Sequence, residues 1–174
     1  MRIGHGYDVH KLQTGDHVFL GGVKIPYQKS LIAHSDGDVL LHSICDAILG
    51  AAGLGDIGRH FPDTDPQYAE ISSRLLLTKV GDLAGLKGFS ISNIDATVIC
   101  EGPKIAPFST QMIENIGNDL KIDSTKINIK GTTTEKLGFL GRGEGIAAVA
   151  VCILDECISG FRFSEGGAQN YFGI

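Results

Sequence analysis

The sequence predicts one α+β domain in which helices cover one face of a mixed β-sheet, as a two-layer sandwich. Three observations lead to this prediction. Segments of alternating apolar residues are interleaved with segments of helical periodicity. The 174 residues, 43% of them hydrophobic, suit a single globular domain. No internal repeat, linker or low-complexity segment divides the chain, which agrees with one domain.

The first half of the chain is predicted to contain two strands and two helices. The strands are 1–10 and 18–25, the helices are 34–53 and 71–86, and the loops are 26–30 and 54–67. Gly21 and Gly22 interrupt the second strand, because glycine inside a strand pattern marks a bend. Ser35 or Asp36 can cap the first helix, since both stand just before its apolar stripe.

The second half of the chain is predicted to contain three strands and one helix. The strands are 90–100, 126–133 and 145–154, the helix is 108–120, and residues 101–107 are a loop. Ile94, Ala96 and Val98 alternate with polar residues, which predicts a strand with one buried face. The segment between the last two strands is rich in glycine and carries Arg142 and Glu144, either as a flexible loop or as a tight packing site.

Charge and cysteine usage narrow the functional classes. A net charge of −5 and a pI near 5.6 argue against a nucleic-acid binder, which would carry a basic face. The four cysteines form no C-x-x-C pair and lie in apolar segments, which is typical of free thiols in a reducing compartment. The N-terminus lacks a secretory signal, and the longest apolar run, 146–154, is too short to span a bilayer. We therefore expect no membrane partner and a cytoplasmic location, or a mature form in an organelle.

The stretch "GHGYDVH", residues 4–10, places histidines and an aspartate between glycines, and all six histidines lie within the first 60 residues. Asp8 and His10 are two residues apart, so on a strand their side chains point to the same side. With His42 from the first helix they would form three protein ligands, which leaves a fourth position open as in catalytic zinc sites. Asp38 or Asp46, one turn to either side, could orient the His42 ring. The alternative is a surface strand beside an ordinary helix histidine.

Three further motifs are ambiguous by themselves. "GLGDIG" matches a dinucleotide-binding pattern but follows a helix rather than a strand, so it is interpreted as a chance match. "FPDTDP" favours a capped turn over a pair of acceptors for substrate hydroxyls. "TTTEK", at the end of a strand, could bind phosphate through threonine hydroxyls and backbone N–H groups, and Glu135 could hold Mg²⁺ beside it. The alternative is a turn whose threonines are solvated. No Walker A loop, nucleophile elbow or H-E-x-x-H motif is present, which favours chemistry by metals and positioning.

Taken together, these segments resemble the 2-C-methyl-D-erythritol 2,4-cyclodiphosphate synthase family of the non-mevalonate isoprenoid pathway. The resemblance covers residues 2 to about 150, in the family's order, and rests on five motifs in register. The motifs are "RIGHGYDVH", "AHSDGDVLLH", "GLGDIGRHFPDTDP", the "PK" after Cys100, and "TTTEKLGF" with "GRGEG".

The resemblance implies a homotrimer with active sites at the subunit interfaces and a central cavity on the threefold axis. It implies Zn²⁺, or another divalent cation, at Asp8, His10 and His42, and Mg²⁺ or Mn²⁺ at Glu135. It also implies a cytidine diphosphate substrate, 4-diphosphocytidyl-2-C-methyl-D-erythritol 2-phosphate, and a lyase that forms the cyclic diphosphate and CMP.

The resemblance also implies individual roles. His34 and Thr133 would stabilise the transition state, and Asp8 and His10 would contact substrate. The methylerythritol phosphate part would be held by His34, Ser35, Asp56, Ile57, Gly58, Phe61, Pro62, Asp63, Thr64 and Asp65. The cytidine diphosphate part would be held by Cys100, Glu101, Gly102, Pro103, Lys104, Ile105, Ala106, Thr132, Thr133 and Thr134. Glu135, Phe139 and Arg142 would complete the substrate site.

The chain departs from the family pattern at Glu101, an acid beside the expected nucleotide site, and in residues 159–174, which carry no interpretable motif and go beyond the family's last strand. The resemblance therefore implies a single domain at residues 1–158 and a C-terminal tail, expected to be disordered, at residues 159–174. Two other functions fit the same residues. A zinc hydrolase would use the three ligands to activate water and give a linear product. A trimeric binding module would hold a prenyl diphosphate in the axial cavity near Phe139, Arg142 and Glu144.

Overall fold

The computed structural model describes residues 1–33, 36–62 and 71–157. Seven strands and five helices occur within these ranges. The strands are β1 (Arg2–Thr14), β2 (His17–Leu20), β3 (Val23–Pro26), β4 (Lys29–Leu31), β5 (Phe89–Ile99), β6 (Ile127–Thr132) and β7 (Gly145–Glu156). The helices are α1 (Val39–Ala52), α2 (Ile57–His60), α3 (Ser73–Leu86), α4 (Ser109–Leu120) and α5 (Gly138–Gly141). Two short 3₁₀ turns, Ala106–Phe108 and Ser124–Lys126, precede α4 and β6.

Five strands form one mixed sheet in the order β4-β1-β7-β5-β6, while β2 and β3 form a separate hairpin. All neighbours in the large sheet run antiparallel except β5 and β6, which run parallel. His10 stands opposite Ile146, and Ile99 stands opposite both Ala147 and Thr132. This register places the ends of β1, β5 and β6 at one end of the sheet, beside the start of β7. The predicted α+β class with a mixed sheet is confirmed.

Two glycines allow α1 to lie directly on β1. A Cβ atom added to Gly4 would stand 1.8 Å from the carbonyl oxygen of Ala47, and one added to Gly6 would stand 1.9 Å from that of Ser43. The helix backbone therefore rests on the strand backbone with no side chain between them. The next residue of this face of β1 is Asp8, which lies close to the first turn of α1.

Helix α1 begins at a buried aspartate that also closes the β2–β3 turn. Asp38 accepts hydrogen bonds from the N–H groups of Leu41 (3.1 Å), Gly21 (3.0 Å) and Gly22 (2.7 Å). Both glycines have positive φ, as a tight hairpin turn requires. The predicted cap, Ser35 or Asp36, is therefore wrong, because the helix begins later than the sequence pattern suggests. Ser35 lies outside the described residues.

Replacing Asp38 with alanine is expected to lower the free energy of unfolding by about 2–4 kcal/mol, because buried N–H groups of the turn and of α1 lose their acceptor. Urea denaturation followed by circular dichroism measures the change. Asp82→Ala is the matched control, since that carboxylate is exposed and its nearest cation, Lys121, is 3.6 Å away. Its effect is expected to stay below about 0.5 kcal/mol. Equal urea midpoints for the two variants would contradict this role of Asp38.

Most predicted elements are confirmed, with ends shifted by one or two residues in α3, β5, α4, β6 and β7. Three short elements were predicted as loops, namely β4, α2 and α5. The end of β1 was also placed too early, at residue 10. Strand β4 exists because it pairs with the extension of β1, with Leu12 opposite Leu31. Such short segments depend on their partners rather than on their own periodicity.

The two faces of the sheet differ in their exposure. Helices cover one face, with α1 on β1 and β7, α3 on α1, and α4 on α3 and β6. The other face exposes apolar side chains, which include Ile3 (67% exposed), Tyr7 (48%), Val9 (39%) and Val151 (38%). These four residues are called the outer patch below. No helix of the described ranges combines the length and the apolar character that a membrane span needs.

Candidate functional site

Asp8, His10 and His42 converge at the junction of β1 and α1. Oδ2 of Asp8 lies 2.9 Å from Nε2 of His10 and 3.0 Å from Nδ1 of His42. The two ring nitrogens are 3.4 Å apart. Zinc–ligand bonds of 2.0–2.2 Å at tetrahedral angles would separate such donor atoms by about 3.3–3.6 Å. Within the described ranges, these three residues form the group that could hold a metal ion, so they fit a divalent cation.

The charges of this cluster favour a cation. Burial of Asp8 alone would raise its pKa, but its hydrogen bonds and charge interactions with His10 and His42 together outweigh burial and lower the pKa well below its usual range. Burial of His10 is the largest effect and would lower its pKa, but the hydrogen bond and charge of Asp8, together with the contact to the Ile32 carbonyl and the charge of Asp38, outweigh burial and raise the pKa. The Asp8 carboxylate is therefore ionised at neutral pH, and its negative charge favours a cation between the three side chains.

Each histidine ring is also held on the side that faces away from Asp8. Nδ1 of His10 lies 3.3 Å from the carbonyl oxygen of Ile32, and Nε2 of His42 lies 2.9 Å from Oγ of Ser73. The prediction that Asp38 or Asp46 orients the His42 ring is wrong. Asp38 is used by the hairpin turn and the start of α1, as described above. Asp46 accepts a hydrogen bond from the Ile57 N–H at 2.9 Å.

The bond between Asp46 and Ile57 attaches α2 to α1, one helical turn from His42. Asp56 precedes α2 and accepts a hydrogen bond from the Arg59 N–H at 2.9 Å. Burial raises the pKa of Asp46, and the negative charges of Asp56 and Asp8 act in the same direction. The predicted substrate residues Asp56, Ile57 and Gly58 thus lie on the metal side of the domain.

Phe61 is buried after α2, and Pro62 follows it at the end of the described range. Five predicted site residues lie outside the described residues. They are His34, Ser35, Asp63, Thr64 and Asp65.

The predicted nucleotide residues form a second group, where the parallel strands β5 and β6 end. The N–H of Cys100 donates to the carbonyl oxygen of Thr132 at 3.0 Å, which joins the two loops. A Cβ atom at Gly131 would lie 2.9 Å from Cγ1 of Ile105, so the loop after β5 folds over β6. The residues assembled here by the two loops are Cys100, Glu101, Gly102, Pro103, Lys104, Ile105, Ala106, Thr132, Thr133, Thr134 and Glu135.

Glu101 holds the turn that contains Glu135. Its Oε1 accepts hydrogen bonds from the N–H groups of Thr134 (3.1 Å) and Lys136 (3.3 Å), and its Oε2 lies 2.8 Å from Nζ of Lys136. The hydrogen bond from Lys136 lowers the pKa of Glu101. Glu135 and Lys136 both have positive φ, 52° and 67°, which is unfavourable for residues other than glycine. Glu101 therefore stabilises a strained turn, and its charge is paired with Lys136.

The remaining predicted residues lie on and beside this turn. The Thr133 hydroxyl donates to Oε1 of Glu135 at 2.9 Å. Phe139 on α5 is 43% exposed. Nε of Arg142, just after α5, lies 2.7 Å from Oε1 of Glu144. The group offers hydroxyls, backbone N–H groups and a guanidinium, which are suitable partners for phosphate oxygens.

Asp8, His10 and His42 are called the metal group below, and residues 100–106 and 132–135 are called the nucleotide group. Both groups lie at the same end of the sheet, the metal group beside β1 and the nucleotide group after β5 and β6. Three inter-strand steps separate β1 from β6 in the sheet order. At about 4.8 Å for each step, the ends of β1 and β6 stand roughly 14 Å apart across the sheet.

Sequence reasoning missed two contributors, Ser73 and the role of Glu101. Two adjacent serines before an apolar helix indicate only a helix start. Glu101 stood out as an acid near a predicted phosphate site, but the sequence contains no sign that a turn residue 33 positions later would use its carboxylate.

Comparison with known proteins gives three concordant results. Residues 1–155 match the model of the YgbB family. The 2-C-methyl-D-erythritol 2,4-cyclodiphosphate synthase of Geobacter metallireducens is 58% identical over 156 residues, which cover 90% of this chain and 99% of that protein. Among solved structures, a CDP complex of IspF from Plasmodium falciparum superposes with a TM-score of 0.79 and 40% identity, covering 89% of this chain and 96% of that one. The bifunctional IspDF of Campylobacter jejuni gives a TM-score of 0.85 and 46% identity, with 89% of this chain matching 42% of that longer protein.

Proposed function

The chain belongs to the YgbB family, and from that membership we propose that it converts 4-diphosphocytidyl-2-C-methyl-D-erythritol 2-phosphate to 2-C-methyl-D-erythritol 2,4-cyclodiphosphate with release of CMP. It is a lyase of non-mevalonate isoprenoid biosynthesis. The observation that carries the proposal is the convergence of Asp8, His10 and His42 in a chain 58% identical to a named cyclodiphosphate synthase.

The reaction needs positioning more than it needs a protein nucleophile. An oxygen of the substrate's own 2-phosphate forms a bond to the β-phosphorus. The bond from the β-phosphorus to the oxygen that bridges it to the α-phosphate breaks, and CMP leaves with that oxygen. Because the attacking oxygen is already an anion, the protein mainly has to fold the substrate for in-line attack, which can supply about 7–11 kcal/mol. The one serine hydroxyl described beside a site histidine, that of Ser73, is completely buried and donates its proton to Asp36, so it is not placed as a nucleophile.

We propose that Asp8, His10 and His42 hold Zn²⁺, since two imidazole nitrogens and a carboxylate leave one of four tetrahedral positions for substrate. The ion would supply Lewis-acid polarisation of the phosphate oxygens. We propose that Glu135 holds Mg²⁺ or Mn²⁺ together with the diphosphate, as carboxylates commonly do. In a chain of net charge −5, these cations and the side chains of Lys104 and Arg142 would offset the charge of the substrate.

The individual residues are assigned as follows. Asp8 and His10 contact substrate beside the metal, and His34 and Thr133 stabilise the charge that develops in the transition state. Ser35, Asp56, Ile57, Gly58, Phe61, Pro62, Asp63, Thr64 and Asp65 hold the methylerythritol phosphate with His34. Cys100 to Ala106 and Thr132 to Thr134 hold cytidine diphosphate, while Phe139 and Arg142 line the site.

We further propose a homotrimer in which each active site combines the metal group of one chain with the nucleotide group of its neighbour. Two observations support this arrangement. The roughly 14 Å between the ends of β1 and β6 in one chain exceeds the reach of one diphosphate. The outer patch also leaves apolar side chains exposed on the sheet, and such patches mark association surfaces. A cavity on the threefold axis near Phe139 and Arg142 would suit a prenyl diphosphate.

Residues 1–158 are proposed as the single catalytic domain and residues 159–174 as a tail. The family match, which ends at residue 155, supports this division. The free thiols Cys45, Cys100, Cys152 and Cys157 support a reducing compartment, and we propose the cytoplasm.

Phosphorus NMR tests the proposed reaction. The purified protein is incubated with the linear cytidyl substrate, Zn²⁺ and Mg²⁺, and the products are followed over time. A cyclic diphosphate with one equivalent of CMP is expected. A linear product that has taken up water would replace the proposal with a zinc hydrolase. The proposal would be replaced with a binding module if the folded, zinc-loaded protein did not turn over the substrate but bound a prenyl diphosphate tightly.

Replacing Glu101 with alanine is expected to raise the Kd for CDP by about tenfold, because the turn after β6 loses the acceptor of two backbone N–H groups. Isothermal titration calorimetry with CDP and Mg²⁺ measures the change. Glu101→Gln is the matched comparison, since its amide oxygen still accepts both N–H groups although the ion pair with Lys136 is lost. Its Kd is expected to lie closer to that of the wild type. Wild-type affinity in Glu101→Ala would show that the turn does not need this carboxylate.

A further inference from the structure

A buried serine connects the metal group to α3. Ser73, the first residue of α3, is completely buried. Its Oγ lies 2.9 Å from Nε2 of His42 and forms a short hydrogen bond with Oδ1 of Asp36. The backbone N–H of Ser73 donates to Oδ2 of the same carboxylate at 3.0 Å. Both carboxylate oxygens of Asp36 thus contact Ser73, and the Ser73 hydroxyl contacts His42.

The chemistry of these groups sets the direction of each hydrogen bond. An ionised carboxylate accepts hydrogen bonds and cannot donate them, so the Ser73 hydroxyl gives its proton to Asp36. The hydroxyl oxygen is then an acceptor toward His42, and Nε2 of that ring must carry the proton. A neutral imidazole protonated at Nε2 has its lone pair on Nδ1. Nδ1 is the atom that faces Asp8 and His10.

We propose that Ser73 is a positioning residue that links the Asp36 carboxylate to Nε2 of His42 and thereby presents Nδ1 of His42 to the metal. This inference rests on the metal site proposed above. Partners of this kind fix the tautomer and orientation of a ligating ring and raise its basicity. The corresponding contact of His10 is with the carbonyl oxygen of Ile32, which no side-chain substitution removes. Of these two contacts on the ring nitrogens that face away from Asp8, the one made by the Ser73 side chain is therefore the one that a substitution can remove.

The same aspartate also caps α3. Ser72 stands at the N-cap position but makes no side-chain cap hydrogen bond. Asp36 instead accepts the first N–H of the helix, that of Ser73, from outside the helix. The start of α3 and the orientation of His42 thus depend on one carboxylate, which makes Ser72 a natural control position.

Zinc affinity and the tautomer of His42 test the proposal. The full-length protein is freed of metal with a chelator, and zinc is titrated in competition with a chromophoric chelator. Ser73→Ala is expected to raise the Kd for zinc by about 10- to 100-fold, whereas Ser72→Ala leaves it unchanged. In ¹⁵N-histidine-labelled, metal-free protein, two-bond ¹H–¹⁵N spectra are expected to show a proton on Nε2 of His42 in the wild type. The same spectra are expected to show mixed tautomers in metal-free Ser73→Ala.

Two results separate the failure of this inference from the failure of the metal site. If His42→Ala binds zinc as tightly as the wild type, the proposed site itself is wrong. If His42→Ala loses zinc but Ser73→Ala keeps wild-type affinity and the Nε2–H tautomer, the role of Ser73 is overturned. Should Ser73→Ala fail to fold, Asp36→Asn serves instead, because it keeps the size of the side chain and removes its charge. A several-fold rise in the zinc Kd is then expected, and unchanged affinity would overturn the inference.

Discussion

Replacing His42 with alanine is expected to remove the metal and to lower the rate of cyclisation by about a thousandfold or more, since a Lewis-acid metal contributes several kcal/mol to catalysis. Two protein ligands, Asp8 and His10, would remain, which is too few to retain the ion at ordinary zinc concentrations. Mass spectrometry of bound metal after dialysis and phosphorus NMR of the reaction measure the two losses together. Added Zn²⁺ is expected to restore the chelator-treated wild type but not the variant.

His17→Ala is the control for this experiment. His17 lies on the β2–β3 hairpin, where its Nδ1 is 2.5 Å from Oδ1 of Asp16, and it is not part of the metal group. Its replacement removes an imidazole of the same kind and is expected to leave metal content and rate unchanged. Full activity and full zinc content in His42→Ala would refute the assignment of the ligand set.

Replacing Gly6 with alanine is expected to lower the free energy of unfolding by about 3 kcal/mol or more, because overpacking into a rigid backbone cannot be relieved by side-chain rotation. The new Cβ atom would stand 1.9 Å from the carbonyl oxygen of Ser43 and 2.8 Å from the Ala47 nitrogen. Strand β1 and helix α1 would have to move apart, and Asp8 would move away from His42. We therefore expect zinc affinity to fall together with stability. Urea denaturation and zinc titration measure both effects.

Gly50→Ala is the matched control, because it makes the same chemical change within α1. A Cβ atom at Gly50 meets nothing within 4 Å. Alanine is favoured over glycine inside a helix, so this variant is expected to gain about 0.5–1 kcal/mol of stability. If Gly6→Ala and Gly50→Ala unfold at the same urea concentration, the contact between β1 and α1 does not set the spacing of the metal ligands.

Much of the fold could be predicted from the sequence, because long periodic segments bury one face. The spacing of Asp8 and His10 on β1 also predicted their common direction, and the structure brings His42 to them. The sequence could not indicate how close α1 would lie. Gly4 and Gly6 are needed because the carbonyl oxygens of Ala47 and Ser43 occupy the positions where their Cβ atoms would lie, and only the folded structure shows this contact.

The missed features share a physical origin. Asp38 and Asp46 both looked available as partners for the His42 ring. Each of these two carboxylates instead accepts hydrogen bonds from backbone N–H groups at a turn or a helix start. Local spacing shows which residues are neighbours on a helix. It does not show which of their carboxylates will be occupied by backbone N–H groups of distant segments, and this decides which neighbour is left to contact His42. Ser73 lies 31 residues from His42, so no helical spacing connects the two.

The distance between the metal group and the nucleotide group within one chain also has a genetic consequence. In the proposed trimer, a chain without His42 still contributes an intact nucleotide group to the active site that it shares with its neighbour. A chain with a mutated nucleotide group still contributes an intact metal group. Two inactive alleles, one with each lesion, would therefore complement each other when they are expressed in the same cell. Two lesions in the same group would not. The order of β1 and β6 in the sheet thus divides the gene into two complementation groups, one ending near residue 62 and one beginning near residue 100.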